Sequence, residues 1–514
     1  MRGARLSRSL LLLASLALTS SLSTQAARAA QDGVFDIVAP FEIGGADPSK
    51  SGFVFQRMQV GETLLEVDRD GRATPGLAES WTVSPDGLTW TLPIRPGVRF
   101  HDGTALTAEL AVASLEKARA KPGVPERAQI TGIGAENGAV VIRLDAPFAP
   151  LAALLAHYST IVLAPASYAP DGSVTQVIGT GPYRIVRLEP PQRLEVEAFA
   201  DYWGDKPAIA AARYLAASRA ETRSLMVENG DADLAFQLDP PSVSRLRRND
   251  AVEVLKAPLP RVMQIKVNAA TPPFDTVDGR LALSEAIARE GLAAGLLRAP
   301  GTGATQLFPP TVAAWHDPAL PPLATDPDKA KARLDALGWT PGSDGIREKD
   351  GKPLRLRLLT YADRPELPLV ATALQDQLRQ VGIGLEVVVT NSSSIPAGHQ
   401  DGSLQLALAA RNYALAPDPF VTVLGDFKAG GSDWGPMNWT SPALQAATEA
   451  LLETSDPAEQ TRLRHEIAGI FQSELPVVPV IWYEQTAAVT KRVEGAAIDP
   501  FERSFGLSQM RWVP

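Results

Sequence analysis

A chain of 514 residues is too long for one compact core, so two or more lobes are expected, each burying a core of its own. Apolar residues at 45% and charged residues at 21% are a soluble globular composition, and 43 prolines point to many connections between short elements. A formal net charge of −9 excludes the basic footprint of a nucleic-acid or anionic-lipid binder, and the absence of Cys excludes a disulfide framework.

The first 29 residues have the parts of a secretory signal: Arg2, Arg5 and Arg8, an apolar run over 10–22, and Ala27-Arg28-Ala29 as a small-x-small cleavage site. That run is shorter than the roughly 20 residues a spanning helix needs, so the mature chain is expected to begin near Ala30, after Ala29. Four arginines leave with the segment, which takes the net charge from −9 to −13. No Cys stands at the cleavage site for a lipid anchor.

Residues 33–40 read as a first strand, 41–51 as a Gly-, Asp- and Ser-rich loop, and 53–65 as a helix with Phe53, Met58, Val60 and Leu64 apolar. A hairpin follows. Trp81 and Val83 alternate with Thr82, and Leu88, Trp90 and Leu92 alternate with Thr89 and Thr91, around Ser84-Pro85-Asp86-Gly87. Thr107 is placed to cap a helix opening with Ala108 and Glu109. Strand 139–144, a helical segment 147–157, and strand 184–188 after Gly179-Thr180-Gly181-Pro182-Tyr183 come next. Residues 219–236 read as a helix ended by Gly230 and then a strand, where Asp231 and Asp233 have turn and cap chemistry rather than metal ligation.

Strand 262–268 is expected to open a second lobe, and 278–290 a helix burying Leu281, Ala286, Ile287 and Leu292. Asp326-Pro327 and Asp456-Pro457 place an acidic cap before Pro at the first helical position, the second with Glu459 as a capping box. Helix 367–381, strand 383–389, strand material from Leu404 to Ala409 and strand 477–482 complete an α/β pattern. The five histidines have no metal spacing, and no nucleophile elbow, Walker loop or dinucleotide fingerprint occurs.

The run from Leu77-Ala78-Glu79-Ser80-Trp81 through Asp86-Gly87, Trp90-Thr91, Gly97-Val98-Arg99-Phe100-His101-Asp102-Gly103 and Thr107-Ala108-Glu109 resembles the diagnostic segment of the family 5 extracytoplasmic solute-binding proteins of ABC importers. Leu110 stands where that family usually has a second acidic residue. Asp47-Pro48, Gly179 to Tyr183, Asp201-Tyr202-Trp203-Gly204, Arg223 with Gly230 and Asp233, and the helix from Asp278 resemble the family in the same order.

That resemblance implies an α/β fold of two-lobe, periplasmic-binding-protein type II architecture, with an extra subdomain inserted in the first lobe. The expected division is a signal peptide over 1–29, lobe I over 30–52, the inserted subdomain over 53–174, lobe I again over 175–261, lobe II over 262–482, and a return to lobe I over 483–514. The implied protein is a periplasmic receptor, a monomer without catalytic residues, cofactor or metal site, whose partners are a small solute and an inner-membrane ABC permease. A secreted hydrolase acting on peptides or glycans and a periplasmic holdase chaperone are the other readings.

For the ligand, the strand running into Arg411-Asn412-Tyr413 and Asp418-Pro419 lies at the cleft mouth in the resembled family. Peptide-binding members hold the solute's amine with an Asp where this chain has Leu415, and an ammonium taken out of water beside Leu would lack its counter-charge. The spacing from Arg411 through Tyr413 to Asp418 is closer to the nickel and metallophore binders, yet those use an Arg before an Ala-Pro turn, and none precedes Ala164-Pro165. The expected solute is a peptide, a nickel chelate or a metallophore-like compound. It is expected to rest on Tyr413 and Phe53, with Arg411 pairing an anionic group of the solute, near Asp418.

Overall fold

The structure is a computed structural model that describes residues 33–513 apart from 122–127, 363, 365, 415, 429–430 and 455. The expected signal segment and Leu415 lie outside the described residues. One sheet of ten strands runs through the molecule. Its spatial order is Gly384–Thr390, Arg355–Tyr361, Leu406–Asn412, Val252–Val267, Val477–Thr490, Leu234–Phe236, Val34–Ala39, Ala211–Ala216, Arg193–Ala198 and Tyr183–Glu189.

Two of these strands belong to both halves of the sheet. Val252–Val267 and Val477–Thr490 pair antiparallel, Val252 through Pro258 against Glu484 through Thr490 and Val262 through Lys266 against Val477 through Trp482, with the register broken between Pro258 and Val262. On one side of that break Val477–Thr490 pairs with Leu234–Phe236, and on the other Val252–Val267 pairs with Leu406–Asn412. Strand 262–268 was expected to start at Val262; the observed strand starts ten residues earlier, because Pro258 and Pro260 fall at the break and interrupt the alternation without ending the pairing.

Each half packs its own core. Met263, Ile265, Leu358, Leu374 and Leu406 anchor one, and Phe35, Phe55, Tyr183, Tyr214 and Val489 the other. A third core gathers Trp90, Leu92, Val140, Ile142 and Leu154 around a four-stranded antiparallel sheet ordered Thr82–Val83, Thr89–Pro93, Ala139–Leu144 and Ile130–Glu136. In its hairpin, Thr82 pairs with Thr91 and Val83 with Trp90, and the Gly87 N–H donates to Ser84 O at 2.8 Å. Thr107 caps Ala108–Arg119 by accepting from Leu110 N at 3.3 Å.

The helix expected over 53–65 is instead Pro48–Arg57. Asp47 accepts from Ser49 N at 2.9 Å and Pro48 supplies the first helical φ, so the cap sits earlier than the apolar pattern suggests, and Gln59 at φ 55 ends the run. Asp456 does cap Pro457–Glu474 through Glu459 N at 2.8 Å. No reciprocal capping box forms, because the Glu459 carboxylate is taken by Arg462 at 2.7 Å.

Candidate functional site

Parallel strands expose helix- and loop-bearing carboxyl ends, and a crevice outside those ends is where open α/β sheets take ligands. Here such a crevice forms where the two long strands cross. A cavity of about 290 Å³ opens there. Pro40 follows Val34–Ala39, Ser218 follows Ala211–Ala216 and Gln237 follows Leu234–Phe236, while Arg364 and Glu366 follow Arg355–Tyr361 from the other half. Arg261, Met263, Ile481, Tyr483 and Gln485 on the crossing strands also line it. In a chain with net negative charge, this wall carries Arg223, Arg247, Lys256, Arg261, Arg298 and Arg364 against Asp239, Glu366 and Glu484.

Arg223 is fixed by the strand ends themselves: its guanidinium donates to the carbonyls of Phe236 at 2.9 Å, Ala217 at 2.6 Å and Ser218 at 2.8 Å, and also to Gln237. Burial pushes it down to about 10, and it stays charged at neutral pH. Arg261 donates through Nη2 to Glu502 Oε2 at 2.5 Å. Behind it Arg57 donates through Nε to the Glu502 carbonyl at 2.6 Å, with Nη2 4.0 Å from Glu502 Oε1. Arg57, Arg261 and Glu502 are 8%, 7% and 6% exposed. Burial acts to raise the Glu502 carboxyl, but Arg261, Arg57 and Arg364 outweigh it and hold the group below its ordinary range.

Rings shape this cluster. The Tyr483 ring lies 5.6 Å from the Arg261 guanidinium carbon and 5.7 Å from that of Arg364, and its hydroxyl donates to Glu366 Oε1 at 2.7 Å. Arg57 stacks over Phe41 at 4.2 Å and Phe53 at 5.5 Å. Within this cluster, Arg57 Nη1, Arg364 Nη1 and Glu502 Oε1 are buried without a hydrogen-bond partner. Glu502 also holds a left-handed backbone at φ 55, a conformation a side chain with Cβ rarely adopts.

The four sequence candidates are not brought together. Phe53 adjoins the arginine cluster, packed edge-on against Phe41 and Tyr158. Arg411 ends a strand rather than a loop and grips Asp426 with two bonds, Nε to Oδ2 at 2.6 Å and Nη2 to Oδ1 at 2.7 Å. Tyr413 is fully buried beside Phe308, its hydroxyl donating to Gln264 Oε1 at 2.8 Å. Asp418 caps Pro419–Phe427 and accepts from Trp315 Nε1 at 3.0 Å. Among the described residues no group of three or more His, Cys, Asp or Glu is placed to hold a metal ion, and no helix is long and apolar enough to cross a membrane.

Arg57, Arg261, Arg364, Glu502 and Tyr483 were not singled out by the sequence. Each stands alone in its segment, and Arg57 and Glu502 are 445 residues apart.

Residues 72–433 match the model of the bacterial extracellular solute-binding proteins, family 5. The glutathione-binding protein GsiB of Salmonella typhi is 26% identical over 520 residues, covering 95% of this chain and 96% of that protein, and the GsiB of Escherichia coli K12 is 27% identical with the same coverage. Among solved structures, NikA of Brucella suis in complex with Fe(III)-EDTA superposes with a TM-score of 0.85 at 23% identity, covering 93% of this chain and 99% of that one. The oligopeptide-binding protein AppA of Bacillus subtilis, in complex with a nonapeptide, gives 0.76 at 18% identity, over 93% and 99%. The two-lobe type II binding-protein architecture is therefore shared with these proteins.

Proposed function

Because the chain belongs to the bacterial extracellular solute-binding proteins of family 5, an extracytoplasmic family that binds small solutes for ABC permeases, we propose that it captures its solute in the crevice at the strand crossing and delivers it without chemical change. The observation that carries this reading is the wall contributed by both halves of the sheet around a cavity of about 290 Å³. A solute touching both walls favours the closed arrangement by the difference between its contacts in the closed and open states. The two crossing strands, with the register break at Pro258 to Val262, supply the hinge.

The lobe limits drawn from the sequence belong to this proposal: lobe I over 30–52, 175–261 and 483–514, its inserted subdomain over 53–174, and lobe II over 262–482. Phe53 meets the solute beside Arg57, while Tyr413, Arg411 and Asp418 act one layer back, holding the strand end and the helix after it. The mature protein is a periplasmic monomer beginning near Ala30. The solute of this proposal is a peptide or a metal chelate, a reading supported by the glutathione, Fe(III)-EDTA and nonapeptide named for similar proteins.

The test is purification from the periplasm with the natural leader in place, followed by N-terminal sequencing, native mass spectrometry and small-angle scattering with and without the solute recovered. A start near Ala30, a co-purified small molecule and a smaller radius of gyration when it is bound are expected. Turnover of that molecule in place of saturable binding would replace the receptor by an enzyme.

A further inference from the structure

Residues 499–505, in the C-terminal return, are fastened to lobe I and its inserted subdomain. The Asp499 carboxylate accepts from the N–H groups of Phe501 and Arg503 at 2.9 Å each and of Ser504 at 3.1 Å. Arg57 holds the Glu502 carbonyl at 2.6 Å, its own carbonyl takes the Phe505 N–H at 3.0 Å, and Arg503 reaches Glu66 and, at 3.3 Å, the Val67 carbonyl. From this pinned backbone the Phe501 ring goes the other way. It is buried in an apolar cluster with Val262, Phe308, Trp315, Tyr413 and Phe420, which all lie within 262–482.

The inserted subdomain meets lobe II at the same place. At Gly71, whose φ of 79 is left-handed, a Cβ would stand 2.6 Å from Phe501 Cζ and 3.3 Å from the Pro417 carbonyl oxygen. Leu424 and Leu452, half-buried on the helices Pro419–Phe427 and Pro442–Glu453, pack against both the Phe501 cluster and the subdomain core around Trp90 and Leu154. This apolar seam joins the two lobes outside the crevice, because Gly71, Pro417, Leu424, Leu452 and Phe501 are all absent from the cavity wall.

Resting on the two-lobe receptor reading above, we infer that Phe501 is a latch: its ring, carried on lobe I and seated in lobe II, holds the lobes together without touching the solute. Rotation of lobe II about the break at Pro258 to Val262 withdraws the ring from its seat and exposes it to water. Burying a phenylalanine side chain biases such an equilibrium by about tenfold or more. The apparent affinity for a solute scales with the closed fraction, so the latch strengthens binding without changing which solute is chosen.

The chain has no Cys, so nitroxide labels can be attached at Arg248→Cys and Thr372→Cys, exposed positions next to the crevice-lining Arg247 and Leu369 on opposite lobes. Their separation is read by pulsed electron paramagnetic resonance in protein freed of co-purified solute by dialysis. The labelled parent is expected mainly at a short separation. Phe501→Ala should lower the closed-to-open ratio about tenfold or more, and Phe501→Leu by less. Gly71→Asn should also lower it, since Asn tolerates the left-handed backbone and wedges the seam from the subdomain side while leaving the lobe II core whole. A folded Phe501→Ala protein with the parent distribution overturns the latch and leaves the receptor standing; where Phe501→Ala does not fold, the same result in Gly71→Asn does so. A parent already at the longer separation overturns it as well. The receptor reading fails on a different result, turnover of the co-purified molecule.

Discussion

Arg261 Nη2 donates to Glu502 Oε2 at 2.5 Å, across 241 residues of sequence, and so ties the broken midpoint of a crossing strand to the C-terminal segment. Both groups are nearly sealed from water, and a buried charge left alone costs far more than the pair contributes. Glu502→Ala is therefore expected to lose about 3–5 kcal/mol in urea unfolding. The carboxyl is held below its ordinary range, so its contribution is complete above the unfolded value of 4.5 and disappears as pH falls through the folded pKa. Unfolding curves collected from pH 7 downward should show that acid-labile component in the wild type and lack it in Glu502→Gln. Equal slopes in both would contradict this account.

Tyr413 and Arg411 can be tested for a structural against a solute-contacting role. Tyr413→Phe keeps the ring against Phe308 and strands Gln264 Oε1, an expected loss of about 1–3 kcal/mol. Arg411→Ala leaves Asp426, whose side chain is 1% exposed, without its charged partner and with only the bond from Ser432 Oγ, and about 3–5 kcal/mol is expected. Both variants should keep wild-type affinity wherever they remain folded. A Tyr413→Phe protein of normal stability but much weaker solute affinity would place that hydroxyl on the solute instead.

The glycines of Gly179-Thr180-Gly181 are required by close approach rather than by an unusual backbone angle. A Cβ on Gly181 would stand 2.2 Å from the Gln59 carbonyl oxygen, and one on Gly179 2.3 Å from that of Val60. Through this contact the strand start at Tyr183 hydrogen-bonds to Gln59 O at 3.3 Å, and Gln59 in turn binds Ser508 at 2.7 Å. Gly181→Ala is expected to destabilise by about 1–3 kcal/mol, read as a lower thermal midpoint.

Local signals were read from the sequence well where one residue acts within its own turn. Thr107, Asp326 and Asp456 each cap a helix as their positions indicate, and Gly230 closes another at φ 79. The first half of Val252–Val267 was hidden by Pro258 and Pro260, which argue against a central strand. The arginine cluster had no local trace at all, since Arg57, Arg261, Arg364 and Glu502 meet only after the sheet is built. Arg411 illustrates the opposite limit. Its motif was visible, but its partner Asp426 lies 15 residues on, at the far end of a helix, so sequence could not tell a spare charge from a satisfied one.

Glu62 offers a pH reporter outside the crevice. Its carboxylate accepts from Trp203 Nε1 and Tyr202 Oη at 3.0 Å each and from Thr180 Oγ1 at 2.7 Å. Burial pushes the group up to about 7, the bonds from Trp203 and Thr180 opposing and the nearby Glu66 assisting. For an acid raised in the folded state, its share of stability is complete below the ordinary value of 4.5, declines as pH rises to about 7, and is constant above. Ionisation also changes the charge facing the indole of Trp203. The difference in fluorescence between wild type and Trp203→Phe should therefore titrate near pH 7, and that transition should vanish in Glu62→Gln. A flat difference signal between pH 5 and 8, with the wild type folded throughout, would show that Glu62 stays in one protonation state across that range.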